Sequence, residues 1–154
     1  VVYGPLLKRG GREEANVFRI RASGDELAVD PVRGDLLDAL AQEGHPMQAV
    51  LCGGGHPLHE EREQWTDGSN FVALSPGVVL GYARNVHTAA AMERAGFTSV
   101  TAQDFLKLFQ ERFGGDFQKL TDSRERYLIQ IIGSELSRGR GGPRCLTMPL
   151  EREV

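Results

Sequence analysis

Close to the C-terminal end the chain reads SELSRGRGGPRCLTMPLERE, which sets Cys145 directly behind Arg138, Arg140, Arg144 and the glycines 139, 141 and 142. A thiol attacks carbon only as a thiolate, a form that neighbouring positive charge favours. Glycines let a backbone approach a ligand closely. The planar fork of an arginine such as Arg140 clasps a carboxylate with two hydrogen bonds. The loop therefore has the make-up of a small-anion site that also presents a nucleophile. A blander reading makes Cys145 a small buried residue opening an apolar strand, CLTMPL. RGRGG also occurs in RNA-binding segments, but one copy inside an acidic domain carries little weight.

Other groups with chemical potential are weaker. His45 falls at a helix-end turn and His87 in the first turn of a predicted helix, where solvent exposure is the ordinary expectation. His56 and His59 precede Glu60 and Glu61, yet this spacing matches no metal-ligand set, and a solvated loop is expected. Gly53–Gly55 follows a predicted strand without the remaining residues of a nucleotide-binding loop. In REQWTDGSNF (Arg62–Phe71), Asp67, Gly68 and Ser69 suit a turn, and Asn70 is placed to point into a site at a strand end.

These groups must be positioned by a modest scaffold. The chain has 154 residues, a 40% hydrophobic composition, a net charge of -3 and a pI near 5.8. That fits one domain with a core and argues against nucleic acid or an anionic membrane surface as partner. No apolar run approaches the roughly 18 residues that span a bilayer, and Val1–Leu7 lacks the form of a signal peptide, so a cytoplasmic protein is expected. Two widely spaced cysteines, Cys52 and Cys145, point to free thiols. Opening on Val1 rather than Met, the sequence is expected to be part of a longer chain.

Periodicity predicts strands at VVY (1–3) and NVFRIRA (16–22), paired across a turn at Lys8–Glu14. A helix in RGDLLDALAQEG and a buried strand MQAVLC (Met47–Cys52) follow. The order strand, strand, helix, strand then recurs as NFVAL, VVLGY, NVHTAAAMERAG and FTSVT. Such repetition points to units too small to close a core alone. Residues 102–128 break the pattern and are expected to be an insertion, with Phe105, Phe109 and Phe113 as a packing stripe. YLIQII (Tyr127–Ile132) returns to the sheet.

REQWTDGSN, SPGVVLGYARNVHT and GSELSRGRGGPRCLTMPLERE together resemble the C-terminal part of the arginine deiminase family, within the guanidino-group-modifying superfamily. The resemblance covers Val1–Phe97, more loosely upstream of Gly53, and Ile129–Glu153. It implies an α/β fold, a five-bladed propeller (pentein) of ββαβ units, with about two units in residues 1–154. It implies hydrolysis of L-arginine to L-citrulline and ammonia without a cofactor or metal. By the same resemblance Cys145 is the nucleophile that forms a covalent amidino-thioether, Arg140 contacts the substrate carboxylate, Asn70 lies in the substrate pocket and Gly139 lines it. The family's acid/base histidine, in an HxD motif, and its guanidinium-binding carboxylates lie upstream and are absent from this sequence. Alone, the chain is therefore expected to be inactive, with the missing N-terminal blades and further copies of itself as partners. Two alternatives stay open: another guanidino-modifying enzyme (an amidinotransferase or methylarginine hydrolase), or a non-catalytic domain that binds an amino acid or a protein.

Overall fold

Alternation along Phe18–Pro31 builds the first element. The strands β1 (Phe18–Ser23) and β2 (Glu26–Pro31) pair antiparallel, with Ile20 opposite Val29 and Ala22 opposite Leu27. The period of two puts Phe18, Ile20, Leu27 and Val29 on one face, and all four are exposed. This corrects the predicted hairpin. Val1–Tyr3 forms no strand, Gly4–Leu7 is a 3-10 turn, and the partner of NVFRIRA is ELAVDP, whose own alternation supplies the matching face. The computed structural model describes residues 1–7, 15–24 and 26–151, so the predicted turn at Lys8–Glu14 lies outside the described residues.

The helix α1 (Leu36–Gln42) starts at a capping box. The Asp35 carboxylate accepts from the N–H groups of Leu37 and Asp38 at 2.8 and 3.0 Å, and the Asp38 carboxylate accepts from Asp35 N–H at 3.1 Å. These elements form one unit, Val2–Ala49; a second comprises Val1 and Val50–Val154.

The predicted strand at Met47–Cys52 does not form: residues 47–50 have no regular structure, Leu51 makes only an isolated bridge, and Met47 is exposed. Its apolar residues serve packing instead. Val50 lies against the Ala89, Met92 and Leu128 cluster, and Cys52 is fully buried at the start of a tight glycine turn. Gly53 there has φ 64°, and a Cβ would stand 2.2 Å from the Glu60 nitrogen, so the chain turns away from a sheet just where pairing would continue.

The second unit holds a four-stranded sheet in the order β3-β4-β6-β5. A hairpin joins β3 (Val72–Ser75) to β4 (Val78–Tyr82), and α3 (Val86–Arg94) carries the chain to β5 (Thr98–Thr101). Next, α4 (Ala102–Phe113) and α5 (Phe117–Ser123) lead to β6 (Tyr127–Ile131), which enters between β4 and β5 and runs parallel to both. The order strand, strand, helix, strand is thus realised at β3-β4-α3-β5, whereas the earlier segment lacks its last strand. Residues 102–128 make the connection from β5 to β6, and the last two of them belong to β6 itself.

The sheet is covered on both faces, which makes the fold α/β. Val78, Tyr127 and Ile129 pack with Phe105, Phe113 and Leu120, while Leu128 packs with Ala89 and Met92. Continuous burial explains why YLIQI reads as an unbroken apolar run. Among the described residues, no helix is long and apolar enough to cross a membrane.

Candidate active site

The helix α2 (Pro57–Trp65) opens with Pro57 in its first turn and ends in a left-handed turn at Asp67, φ 61°, where Gly68 N–H donates to the Glu63 carbonyl at 2.7 Å. The polar run after it is tied to the start of α3. Thr66 Oγ1 donates to Asn85 Oδ1 at 2.5 Å, and Asn85 Nδ2 returns a bond to the Thr66 carbonyl at 3.0 Å. The buried Glu63 carboxylate accepts from His87 N–H, Thr88 N–H and Thr88 Oγ1 at 2.9, 2.8 and 2.6 Å, placing negative charge on the helix N-terminus. REQWTDGSN is therefore a bracket tied to the start of α3 through Glu63 and Thr66, and it carries Trp65, Asp67 and Asn70.

The opposing wall is the last part of the chain. The short helix α6 (Ser134–Arg138) is tied down by Arg84, whose Nη1 donates to Ser137 Oγ at 2.9 Å. Beyond it Arg140 takes φ 62°, and Gly141 N–H donates back to the Leu136 carbonyl at 3.1 Å. From β4, Tyr82 Oη donates to the Gly141 carbonyl at 2.6 Å. Asn70 then joins the two walls: its Nδ2 donates to Cys145 Sγ at 2.8 Å, and its Oδ1 accepts from Arg144 N–H at 2.8 Å. One side chain thus fixes both the sulfur and the peptide before it. Gly142 makes room for this, since a Cβ there would stand 2.2 Å from Asn70 Cγ.

Cys145 sits in a turn and is exposed, which overturns the reading of a buried residue opening a strand CLTMPL. The three loop arginines do not converge equally. Arg138 pairs with Glu135 at 3.2 Å, Arg144 Nη1 donates to the Thr147 carbonyl at 3.4 Å, and the Arg140 guanidinium carbon lies 4.1 Å from the centre of the Trp65 ring. Gly139 is exposed with φ -76° and has room for a Cβ, so its backbone does not require glycine.

Two cavities adjoin this junction. One of about 320 Å³ is lined by Gln64, Asp67, Ser69, Asn70, Phe71 and Arg144. The other, about 400 Å³, is lined by Trp65, Thr66, Arg84, Ser137, Arg138 and Arg140. Burial pushes the Asp67 carboxyl above the usual carboxylate range, opposed by the charge of Arg140. Burial also pushes the Tyr82 hydroxyl up, helped by the charges of Asp67 and Cys145.

The histidines form their own group. His56 precedes α2 and His59 lies within it, so the expected loop is helical, and the His59 ring stacks on His87 at 3.5 Å. Partial desolvation, then the neighbouring imidazoles, hold His59 below its ordinary pKa.

Sequence reading singled out Asn70, Gly139, Arg140 and Cys145, and the structure brings Asn70 and Cys145 into contact. Sequence reading passed over Trp65 and Tyr82, and took Gly142 only as one of the three loop glycines. A lone tryptophan within a polar run was the available sign for Trp65; nothing in the pattern marked Tyr82, an ordinary strand residue by period.

The profile of the arginine deiminase family matches residues 10–152. Arginine deiminases of Streptococcus agalactiae serotype V and Streptococcus pneumoniae are each 35% identical to the chain over 142 residues. The match takes in 91% of this chain and 28% of each relative, so the chain spans little more than a quarter of their length. A profile that runs from the β1–β2 unit through the bracket and the thiol loop leaves one assignment: the chain belongs to the arginine deiminase family.

Proposed function

We propose that the chain supplies the nucleophile and the carboxylate clasp of an enzyme that hydrolyses L-arginine to L-citrulline and ammonia. The observation that carries this is the exposed Cys145 sulfur fixed 2.8 Å from the Asn70 amide, in the same loop as Arg140, whose guanidinium lies over the Trp65 ring and donates no hydrogen bond among the described residues. In the proposed reaction the Cys145 thiolate attacks the guanidinium carbon. That attack forms the carbon–sulfur bond, and the tetrahedral adduct then collapses as its carbon–nitrogen bond breaks and the protonated nitrogen leaves as ammonia, which leaves an amidino-thioether on Cys145. Water then adds to that carbon, the carbon–sulfur bond breaks, and citrulline leaves with the thiolate regenerated. Arg140 takes the substrate carboxylate, Asn70 holds the sulfur on line, and Gly139 forms part of the pocket wall.

The reaction needs a proton donor for ammonia and carboxylates that orient the guanidinium. His59 stacks on His87 and lies tilted against His56, and this cluster at α2 and α3 is given no such role. We place the missing groups in further blades of a five-bladed propeller, and the 28% share of the relatives' length is consistent with that. The β3-β4-α3-β5 order supports the propeller unit, with residues 102–128 as an insertion in it and further copies covering the remaining edges.

The test is citrulline formation from L-arginine by the complete enzyme, its Cys145→Ala and Cys145→Ser variants, and these 154 residues alone. Turnover in the parent only, with a mass adduct on Cys145 after acid quench, is the expected result. Turnover in Cys145→Ala would remove the covalent route.

A further inference from the structure

Arg138, Arg140 and Arg144 lie within seven residues, and their surroundings separate them. Arg138 points its donors at Glu135 and Arg144 points one at the Thr147 carbonyl. Arg140 instead lies over the Trp65 ring at 4.1 Å, and among the described residues its guanidinium donates no hydrogen bond. A ring face attracts the cation without occupying the N–H groups, which all lie in the guanidinium plane. The contact therefore holds the side chain while leaving its fork open.

Two further features bear on this contact. Arg140 has φ 62°, a region that disfavours any side chain but glycine's, so an arginine stands there against backbone preference. Asp67, two residues beyond Trp65, has a buried Oδ2 without a hydrogen-bond partner among the described residues, and it interacts electrostatically with Arg140. Trp65 itself is 61% exposed, far more than packing requires of a tryptophan, and it is held by the Thr66–Asn85 pair next in sequence.

We propose that Trp65 is a positioning residue for Arg140: its ring, together with the charge of Asp67, orients the guanidinium fork toward the carboxylate of an amino-acid substrate. This rests on the deiminase reading for the identity of the substrate, but not for the stack itself. The role differs from that of Cys145, since Trp65 touches no reacting atom and acts only through Arg140.

The experiment has two arms. Trp65 is the single tryptophan of the chain, so its emission reports the stack directly. In this chain Arg140→Ala is expected to red-shift and alter the intensity of that emission, and Arg140→Lys to alter it less, at unchanged circular dichroism. Emission identical in all three proteins would overturn the stack. In the complete enzyme, Trp65→Leu is expected to raise KM for L-arginine about two- to fivefold, the range for an exposed cation–π contact, with kcat held within about twofold. Trp65→Phe is expected to restore KM, because a ring face remains. A fall in kcat at constant KM, or no rescue by phenylalanine, would overturn the positioning role. A parent enzyme that forms no citrulline while the emission shifts as expected would overturn the deiminase reading and the substrate assignment, leaving the Trp65–Arg140 contact established.

Discussion

Gly142→Ala tests the geometry of the thiol loop most directly. A Cβ at Gly142 would stand 2.2 Å from Asn70 Cγ, 2.5 Å from Nδ2 and 2.6 Å from Cβ. The last of these lies at the root of the side chain, so rotation of the Asn70 amide cannot relieve the overlap and the loop must shift. Forcing a methyl into filled space costs about 1–3 kcal/mol. Displacing Asn70 also breaks its bonds to Cys145 Sγ and Arg144 N–H, each about 0.5–1.5 kcal/mol. The sum is about 2–6 kcal/mol, a large share of the 5–15 kcal/mol that typically separates folded from unfolded chains. The assay is chemical denaturation together with modification by a disulfide reagent. Cys145 is exposed and should react at once in the parent, whereas Cys52 is fully buried and should react only on unfolding, so it serves as an internal standard. In Gly142→Ala the Cys145 rate should change and the Cys52 rate should rise. Gly139→Ala is the control: the nearest atom to its Cβ lies at 3.5 Å and φ is -76°, so stability should move by no more than about 0.5 kcal/mol. A Gly142→Ala protein within about 1 kcal/mol of the parent, with an unaltered Cys145 rate, would refute the claim that glycine makes room for Asn70.

Tyr82→Phe removes the 2.6 Å bond to the Gly141 carbonyl and should lower stability by about 1 kcal/mol, read by denaturation. Its kcat in the complete enzyme should fall further than that loss alone explains, because the same carbonyl sits between Arg140 and Cys145. Glu63→Ala leaves three donors at the start of α3 without their acceptor and should cost about 3 kcal/mol, seen as a lowered Tm. Tyr127 is pushed up to about 12 by burial and by its bond to the Glu125 carboxylate, opposed by Arg112. The folded state thus keeps the phenol proton longer than the unfolded chain, whose tyrosine titrates near 10. The stabilisation is complete below pH 10 and should fade between pH 10 and about 12, and Tyr127→Phe should flatten that part of the denaturation profile.

What the sequence disclosed tracks where local chemistry decides the outcome. α1 follows from the apolar spacing of Leu36, Leu37 and Leu40, α4 from its phenylalanine spacing, and β4 and β6 from apolar runs buried on both sides. Met47–Cys52 failed because an apolar run says nothing about whether a partner strand exists, and the glycines after it turn the chain away. The first hairpin was paired wrongly for the same reason: alternation marks strands, while pairing is settled by which neighbour completes the face. At the site, Cys145, Asn70 and Arg140 were legible as residue types in a distinctive setting. Trp65 and Tyr82 were not, because their roles exist only once segments far apart in sequence meet.

The late entry of β6 has a consequence for the order in which this protein comes into being. During synthesis β4 and β5 emerge first, yet neither can pair with the other, because the space between them belongs to a strand not yet made. That space is filled only when Tyr127–Ile131 arrives, and the segment bearing Arg140 and Cys145 emerges after it. The contact between Asn70 and Cys145 spans 75 positions, the largest separation of any side-chain hydrogen bond among the described residues, and such closures tend to form slowly. An exposed thiol therefore acquires its fixed setting only after every strand of the sheet has been made. A nascent, clipped or misfolded copy carries the same cysteine without the walls around it, so its reactivity toward small electrophiles would serve as a measure of maturation.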